Sequence, residues 1–176
     1  SLCAACATTL EKRISSATIA RPSFEQRFRY APHMRLKITR LDSTLKLPSY
    51  STDEAAGFDL AAAHELTVQP HTIALVRTGL VVEVPTGHFL AIFARSSMPL
   101  KRGLMVANGV GVVDPDYSGP TDEIMIQVIN ITGQQVTIQH GDRLAQGIVL
   151  PAPRVHWEEV TQTRPANRGG FGTTGK

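Results

Sequence analysis

Five short stretches of this 176-residue chain gather side chains able to handle an anionic, polar ligand. Ala55-Ala56-Gly57-Phe58-Asp59-Leu60 is a run of small and apolar residues carrying one carboxylate, Asp59. Ala94-Arg95-Ser96-Ser97 sets a guanidinium and two hydroxyls directly after an apolar run, a grouping suited to phosphate oxygens. The third stretch, Asn108-Gly109-Val110-Gly111-Val112-Val113-Asp114-Pro115-Asp116-Tyr117-Ser118-Gly119, leads apolar residues into Asp114, a proline-fixed turn and the ring of Tyr117. A carboxylate in that setting can serve as a general base if it comes within hydrogen-bond reach of a water. Gly141-Asp142-Arg143-Leu144-Ala145-Gln146 adds an amide, and the chain ends on the glycine-rich NRGGFGTTGK. Glycine lets backbone N–H groups approach an anion closely, which a phosphate clamp needs. Taken singly, each has an ordinary structural explanation: Asp59 caps a turn, Arg95 pairs with a carboxylate, Gln146 satisfies backbone groups, Tyr117 packs over a turn.

In this order and spacing the five stretches resemble the five motifs of the trimeric dUTPase family, over about residues 34–176. The resemblance implies hydrolysis of dUTP to dUMP and pyrophosphate, which keeps uracil out of DNA and supplies dUMP for thymidylate synthesis. It makes Asp114 the catalytic base activating a water for attack on the α-phosphorus, and Arg95, Ser96, Ser97 and Gln146 the phosphate contacts. Asn108 and Gly111 belong to the hairpin that reads uracil, and Tyr117 packs on the deoxyribose, leaving no space for a 2′-hydroxyl. The edge of uracil offers acceptor, donor, acceptor; a site matched to it leaves polar groups unpaired against other bases. In the tail, Arg168, Phe171, Gly172, Thr173 and Thr174 close over the nucleotide. The implied cofactor is Mg²⁺, with Asp59 reaching it through water; magnesium retains several waters and takes substrate oxygens, so no carboxylate cage is required. Three chains associate and share the sites.

Some positions depart from the commonest family pattern. Ser97 stands where Gly is frequent, and Ser118 where a longer polar or basic residue is frequent. Ala166 occupies the place of the usual tail arginine, five before Phe171, and Arg168 is the substitute guanidinium. Two other readings compete: a dCTP deaminase-type enzyme, whose resemblance predicts a catalytic glutamate in the third region, and a non-catalytic trimeric nucleotide-binding regulator. A Ser/His/Asp hydrolase is excluded, because no Gly-x-Ser-x-Gly elbow occurs and nothing orders the six histidines around a nucleophile.

These residues need a scaffold, and the pattern from Met34 onward predicts one made of strands. Short β-branched or alternating runs at 35–40, 72–76, 80–84, 89–93, 104–107, 124–131, 135–138 and 143–150 are closely punctuated by Gly and Pro. Such spacing predicts an all-β fold, a sandwich, jelly roll or barrel, with one short helical turn near 98–102. The resemblance implies the dUTPase-like distorted β-barrel or jelly roll, a homotrimer with a C-terminal arm. Residues 124–129 and 148–150 are apolar on both faces, so both faces lie inside one domain or one face meets another subunit.

The expected organisation is an N-terminal extension at 1–33, a β-barrel domain at 34–166 and a glycine-rich arm at 167–176. The extension holds five basic and two acidic residues of the chain's eighteen and fifteen, leaving thirteen of each elsewhere. That neutrality argues against a nucleic-acid partner, which needs a clustered basic face. The Arg-rich, acid-poor extension is read as disordered, as a mitochondrial or nuclear targeting segment, or as sequence upstream of a start at Met34. Cys3 and Cys6, the only cysteines, form half a zinc site without a matching pair and are read as free thiols. No apolar run is long enough to span a bilayer, and the expected compartment is cytoplasmic.

Overall fold

The computed structural model describes residues 34–169, so the expectations for residues 1–33, the two cysteines included, and for 170–176 lie outside the described residues. The described residues from Leu36 to Gly169 belong to one compact unit. It is all-β, with eleven strands and one short helix among the described residues: β1 (Lys37–Arg40), β2 (Phe58–Ala61), β3 (Leu66–Val68), β4 (Ile73–Arg77), β5 (Leu80–Glu83), β6 (His88–Ala94), α1 (Met98–Arg102), β7 (Leu104–Val106), β8 (Gly111–Val113), β9 (Met125–Asn130), β10 (Val136–Ile138) and β11 (Arg143–Pro151).

The strands form a four-stranded sheet β2-β11-β6-β8, a three-stranded sheet β4-β9-β7, and the pairs β1-β5 and β10-β3. All the pairings are antiparallel. Leu60, Leu90, Val76, Leu104, Ile126 and Val128 make the centre of the core, each fully buried aliphatic contributing roughly 1.5–3 kcal/mol. β9 alternates: Ile126, Val128 and Asn130 point inward, while Met125, Gln127 and Ile129 face outward. Asn130, the polar member of the inward row, donates to the carbonyls of Val68 and Gln134 and accepts from the Thr132 N–H and hydroxyl, so its burial leaves nothing unsatisfied.

The outward face of the three-stranded sheet stays open. Register sets Ile73 beside Ile129 and Ile129 beside Met105. Ile73 is 58% and Leu75 56% exposed, with Met105 and Met125 also open. Of the two expectations for residues 124–129, the structure of this chain therefore matches the one with a single face inside the domain. Three strands, β2, β3 and β8, fall where sequence pattern did not predict them; each has only three or four residues.

Candidate active site

The four-stranded sheet carries chemistry at both ends. At one end, register aligns Asp59 on β2 with Gln146 on β11, and Gln146 with Phe93 on β6, two residues before Arg95. Asp59 is 8% exposed. Burial of a carboxylate demands compensation, and three groups supply it. Arg143 Nη1 and Ser51 Oγ each donate to Oδ2 at 2.9 Å, and Arg95 Nε lies 3.0 Å from Oδ1. Two guanidinium groups are thereby held on one carboxylate.

Beyond β6 the chain turns through Ser96 and Ser97 into α1, which ends at Gly103. Arg102, in its last turn, forms a two-pronged ion pair with Asp142 in the turn before β11. The Arg102 guanidinium holds the Asp142 carboxyl below its ordinary range; partial burial opposes this and the Gln139 N–H adds to it. Arg95, Ser97, Lys101, Arg102, Asp142 and Arg143 line a cleft of about 320 Å³. With four cations to one carboxylate it suits an anion with several oxygens. The side chains of Ser96, Ser97 and Gln146 have no hydrogen-bond partner among the described residues; Ser96 is exposed, Gln146 half-buried.

At the other end, the loop after β8 surrounds a cavity of about 240 Å³, lined in part by Ile92, Asn108, Gly111, Asp114 and Tyr117. Gly111 lets β8 lie close against β6, because a Cβ there would sit 3.0 Å from Ile92 Cβ. β8 is the edge strand of its sheet, so backbone donors and acceptors on its outer side are open to a flat polar ligand. Asp114 follows β8 directly; its carboxylate is exposed and has no partner among the described residues. Tyr117 is partly exposed, and its hydroxyl donates to the Glu123 carbonyl at 3.2 Å.

Within one chain these two regions are far apart. Leu90 pairs with Val113, so Asp114 emerges at the His88 end of β6, while Arg95 follows the opposite end. Six residues of strand separate the levels of Asp114 and Arg95, about 20 Å at roughly 3.3 Å per residue.

The sequence model of the dUTPase family matches residues 43–175, about three quarters of the chain. The chain belongs to the dUTPase family. A relative from Desulfotalea psychrophila, named deoxyuridine 5'-triphosphate nucleotidohydrolase, is 41% identical over 140 residues, covering 77% of this chain and 91% of its own. One of the same name from Anaplasma marginale is 40% identical, covering 81% of this chain and 99% of its own. The crystal structure of the dUTPase from Streptococcus mutans aligns with a TM-score of 0.64 at 35% identity, over 69% of this chain and 98% of that one. The distorted all-β architecture is thus a dUTPase fold.

Against this dUTPase background, the residues expected around one base-reading hairpin, Asn108, Gly111, Asp114 and Tyr117, share one cavity, and Arg95 and Ser97 share the basic cleft. Arg168 is exposed in a segment without regular structure, and Phe171, Gly172, Thr173 and Thr174 lie outside the described residues. Asp59, expected to reach magnesium through water, is enclosed with Arg95 and Arg143 against its carboxylate, and its Oδ1 has no hydrogen-bond partner among the described residues. No cluster of three His, Cys, Asp or Glu side chains occurs among the described residues, as suits an ion whose ligands are substrate oxygens and water. Sequence reasoning did not single out Arg143, Arg102 or Glu123. Arg143 stood inside a quoted motif, but its partner Asp59 is 84 residues away and only the β2-β11 register brings them together.

Proposed function

We propose that the protein hydrolyses dUTP to dUMP and pyrophosphate. The observation that carries this reading is the Asp114 carboxylate, without a partner among the described residues, at a cavity also lined by Asn108, Gly111 and Tyr117. In the proposed reaction Asp114 accepts a proton from a water that attacks the α-phosphorus. Uracil is read by the backbone of the Gly111 region with Asn108, and the deoxyribose packs on Tyr117. Arg95, Ser96, Ser97 and Gln146 hold the phosphates and stabilise the charge that accumulates on their oxygens. In the arm, Arg168, Phe171, Gly172, Thr173 and Thr174 cover the bound nucleotide and exclude water.

Mg²⁺ is part of the proposal as an ion that arrives with the triphosphate and offsets its charge, its ligands being phosphate oxygens and water. Asp59 keeps the cleft organised by holding Arg95 and Arg143 in place.

A homotrimer completes the reading. The distance between Asp114 and Arg95 within one chain supports a site composed of the base-reading hairpin of one subunit and the basic cleft of another. The open apolar face of Ile73, Leu75, Met105 and Met125 supports burial against further copies, since exposed patches of this kind mark contact surfaces. A cytoplasmic enzyme acting on free nucleotide, without nucleic-acid or membrane partners, goes with this substrate. Among the described residues, no helix is long and apolar enough to cross a membrane.

The deaminase reading needs a catalytic glutamate in the third motif region; residues 108–119 hold none, and the nearest in the chain is Glu123. Its carboxylate is already engaged by Arg77 and the Gly79 N–H. A panel of dUTP, dCTP, UTP and dTTP with Mg²⁺, following pyrophosphate and ammonia separately, tests the proposal. Pyrophosphate from dUTP alone is expected. Ammonia from dCTP, or release from none of the four, overturns it.

A further inference from the structure

The loop that carries Asp114 and Tyr117 is fastened at its far end by a buried carboxylate. Glu123 is 3% exposed. Its Oε2 accepts from Arg77 Nε at 2.7 Å and its Oε1 from the Gly79 N–H at 2.6 Å. Both bonds are charge-assisted, and Arg77, which ends β4, and Gly79, in the turn before β5, lie outside the loop itself. That turn is fixed in its own right. Gly79 has φ +66°, a left-handed conformation that favours glycine, and a Cβ there would also displace the Leu45 side chain. The next residue continues the attachment: the Ile124 N–H donates to the Leu80 carbonyl at 2.8 Å, and Thr78 Oγ1 donates to the Ile124 carbonyl at 2.6 Å.

The main-chain oxygen of this clasped residue is the one that receives the Tyr117 hydroxyl, at 3.2 Å. Tyr117 is 44% exposed, so packing alone leaves its ring room to swing. A single hydrogen bond at the tip of the ring restricts that motion only as far as its acceptor is itself immobile. Glu123 supplies that immobility, and it also lines the same cavity as Asn108, Gly111 and Tyr117.

We propose that Glu123 is the positioning residue for sugar selection: its buried carboxylate clasps the loop to the β4-β5 turn, and its carbonyl holds the Tyr117 ring where a 2′-hydroxyl would have to fit. The proposal rests on the reading of the protein as a dUTP hydrolase with Tyr117 against the deoxyribose. Steric rejection of a small added group depends on the wall being fixed. A ring free to move aside admits ribonucleotide without damaging the phosphate cleft at the other end of the sheet.

The test compares kcat/KM for dUTP and UTP in wild type, Glu123→Gln, Tyr117→Phe and the double variant, with assembly verified by sedimentation. Glu123→Gln keeps the shape but removes the charge that holds Arg77. Its dUTP-over-UTP ratio is expected to fall roughly tenfold, the scale on which a pocket discriminates one small group, chiefly through a gain on UTP. Tyr117→Phe keeps the ring and loses the bond, and its ratio falls similarly; the double variant falls no further than either single one. A merely structural role for Glu123 lowers activity on both nucleotides alike and leaves the ratio unchanged, which overturns the proposal, as does an additive loss in the double variant. Should Glu123→Gln not fold, Tyr117→Phe decides alone: an unchanged ratio shows that the bond to the clasped carbonyl does not set selectivity. Wild-type enzyme inert toward dUTP would instead defeat the underlying reading.

Discussion

The carboxylate of Asp59 lies 3.0 Å from Nε of Arg95, across two strands that do not pair with each other. β11 lies between them, and its Arg143 reaches the other oxygen of the same carboxylate. One buried acid thus fixes two cations that would otherwise repel each other. Asp59→Asn should cost about 2–3 kcal/mol in chemical denaturation at fixed protein concentration, near the low end for a broken buried pair because Arg143 is half-exposed. The KM for the triphosphate should rise with it. A fully stable variant that merely needs more Mg²⁺ would return Asp59 to the metal's water shell.

The second ion pair of the cleft carries a pH signature. Asp142 has its pKa lowered from the ordinary 3.8 by the hydrogen bond from Arg102. A depressed carboxyl contributes stability that is present above its unfolded value and is lost as pH falls through the folded one. Acid titration of wild type against Arg102→Gln should therefore show two curves separated at neutral pH and converging below about pH 4. Curves with a constant separation would mean that the pair is not the source of the difference.

Much of this was legible in the sequence, and the gaps have physical causes. The longer strands were readable because β-branched alternation over five or more residues leaves little doubt about period; β6 and β11 fall close to their expected bounds. Phe58–Ala61 and Gly111–Val113 were not: both lie inside glycine-containing motif stretches, and their pairing with β11 and β6 is supplied by the sheet. The site residues were legible as motifs, their partners were not. Nothing local marks Glu123 as the acceptor of Arg77, 46 residues away, or Asp142 as the partner of Arg102, 40 away. Asp59 was read as a metal-shell residue from its motif, and the two arginines that occupy it come from elements distant in the chain.

Truncation after Ala166 should leave a folded, assembled protein with severely reduced kcat. The segment is glycine-rich, and none of its described residues belongs to the hydrophobic core. Its proposed contacts form around the reacting phosphates, so the loss belongs to turnover more than to binding of dUMP. Protease protection of the tail by a non-hydrolysable dUTP analogue with Mg²⁺ should accompany closure in the full chain. Near wild-type kcat in the truncated enzyme would remove the arm from the mechanism.

The central claim is that one dUTP-hydrolysing site takes Asp114 from one chain and Arg95 from another, and subunit mixing tests it most directly. Asp114→Asn alone should lose about 10²- to 10⁴-fold in kcat, the worth of a general base, and Arg95→Ala alone should be similarly poor through its phosphate contact. The two are unfolded together, refolded at equal concentration and assayed for pyrophosphate release from dUTP, with exchange verified by differently tagged chains. If neighbouring subunits contribute independently, each mixed trimer regains one site with both residues intact, about a quarter of all sites in an equal mixture, and activity should recover to about that fraction of wild type. Mixed trimers no more active than the two parents would contradict the account, because they would place Asp114 and Arg95 of a single chain in the same site.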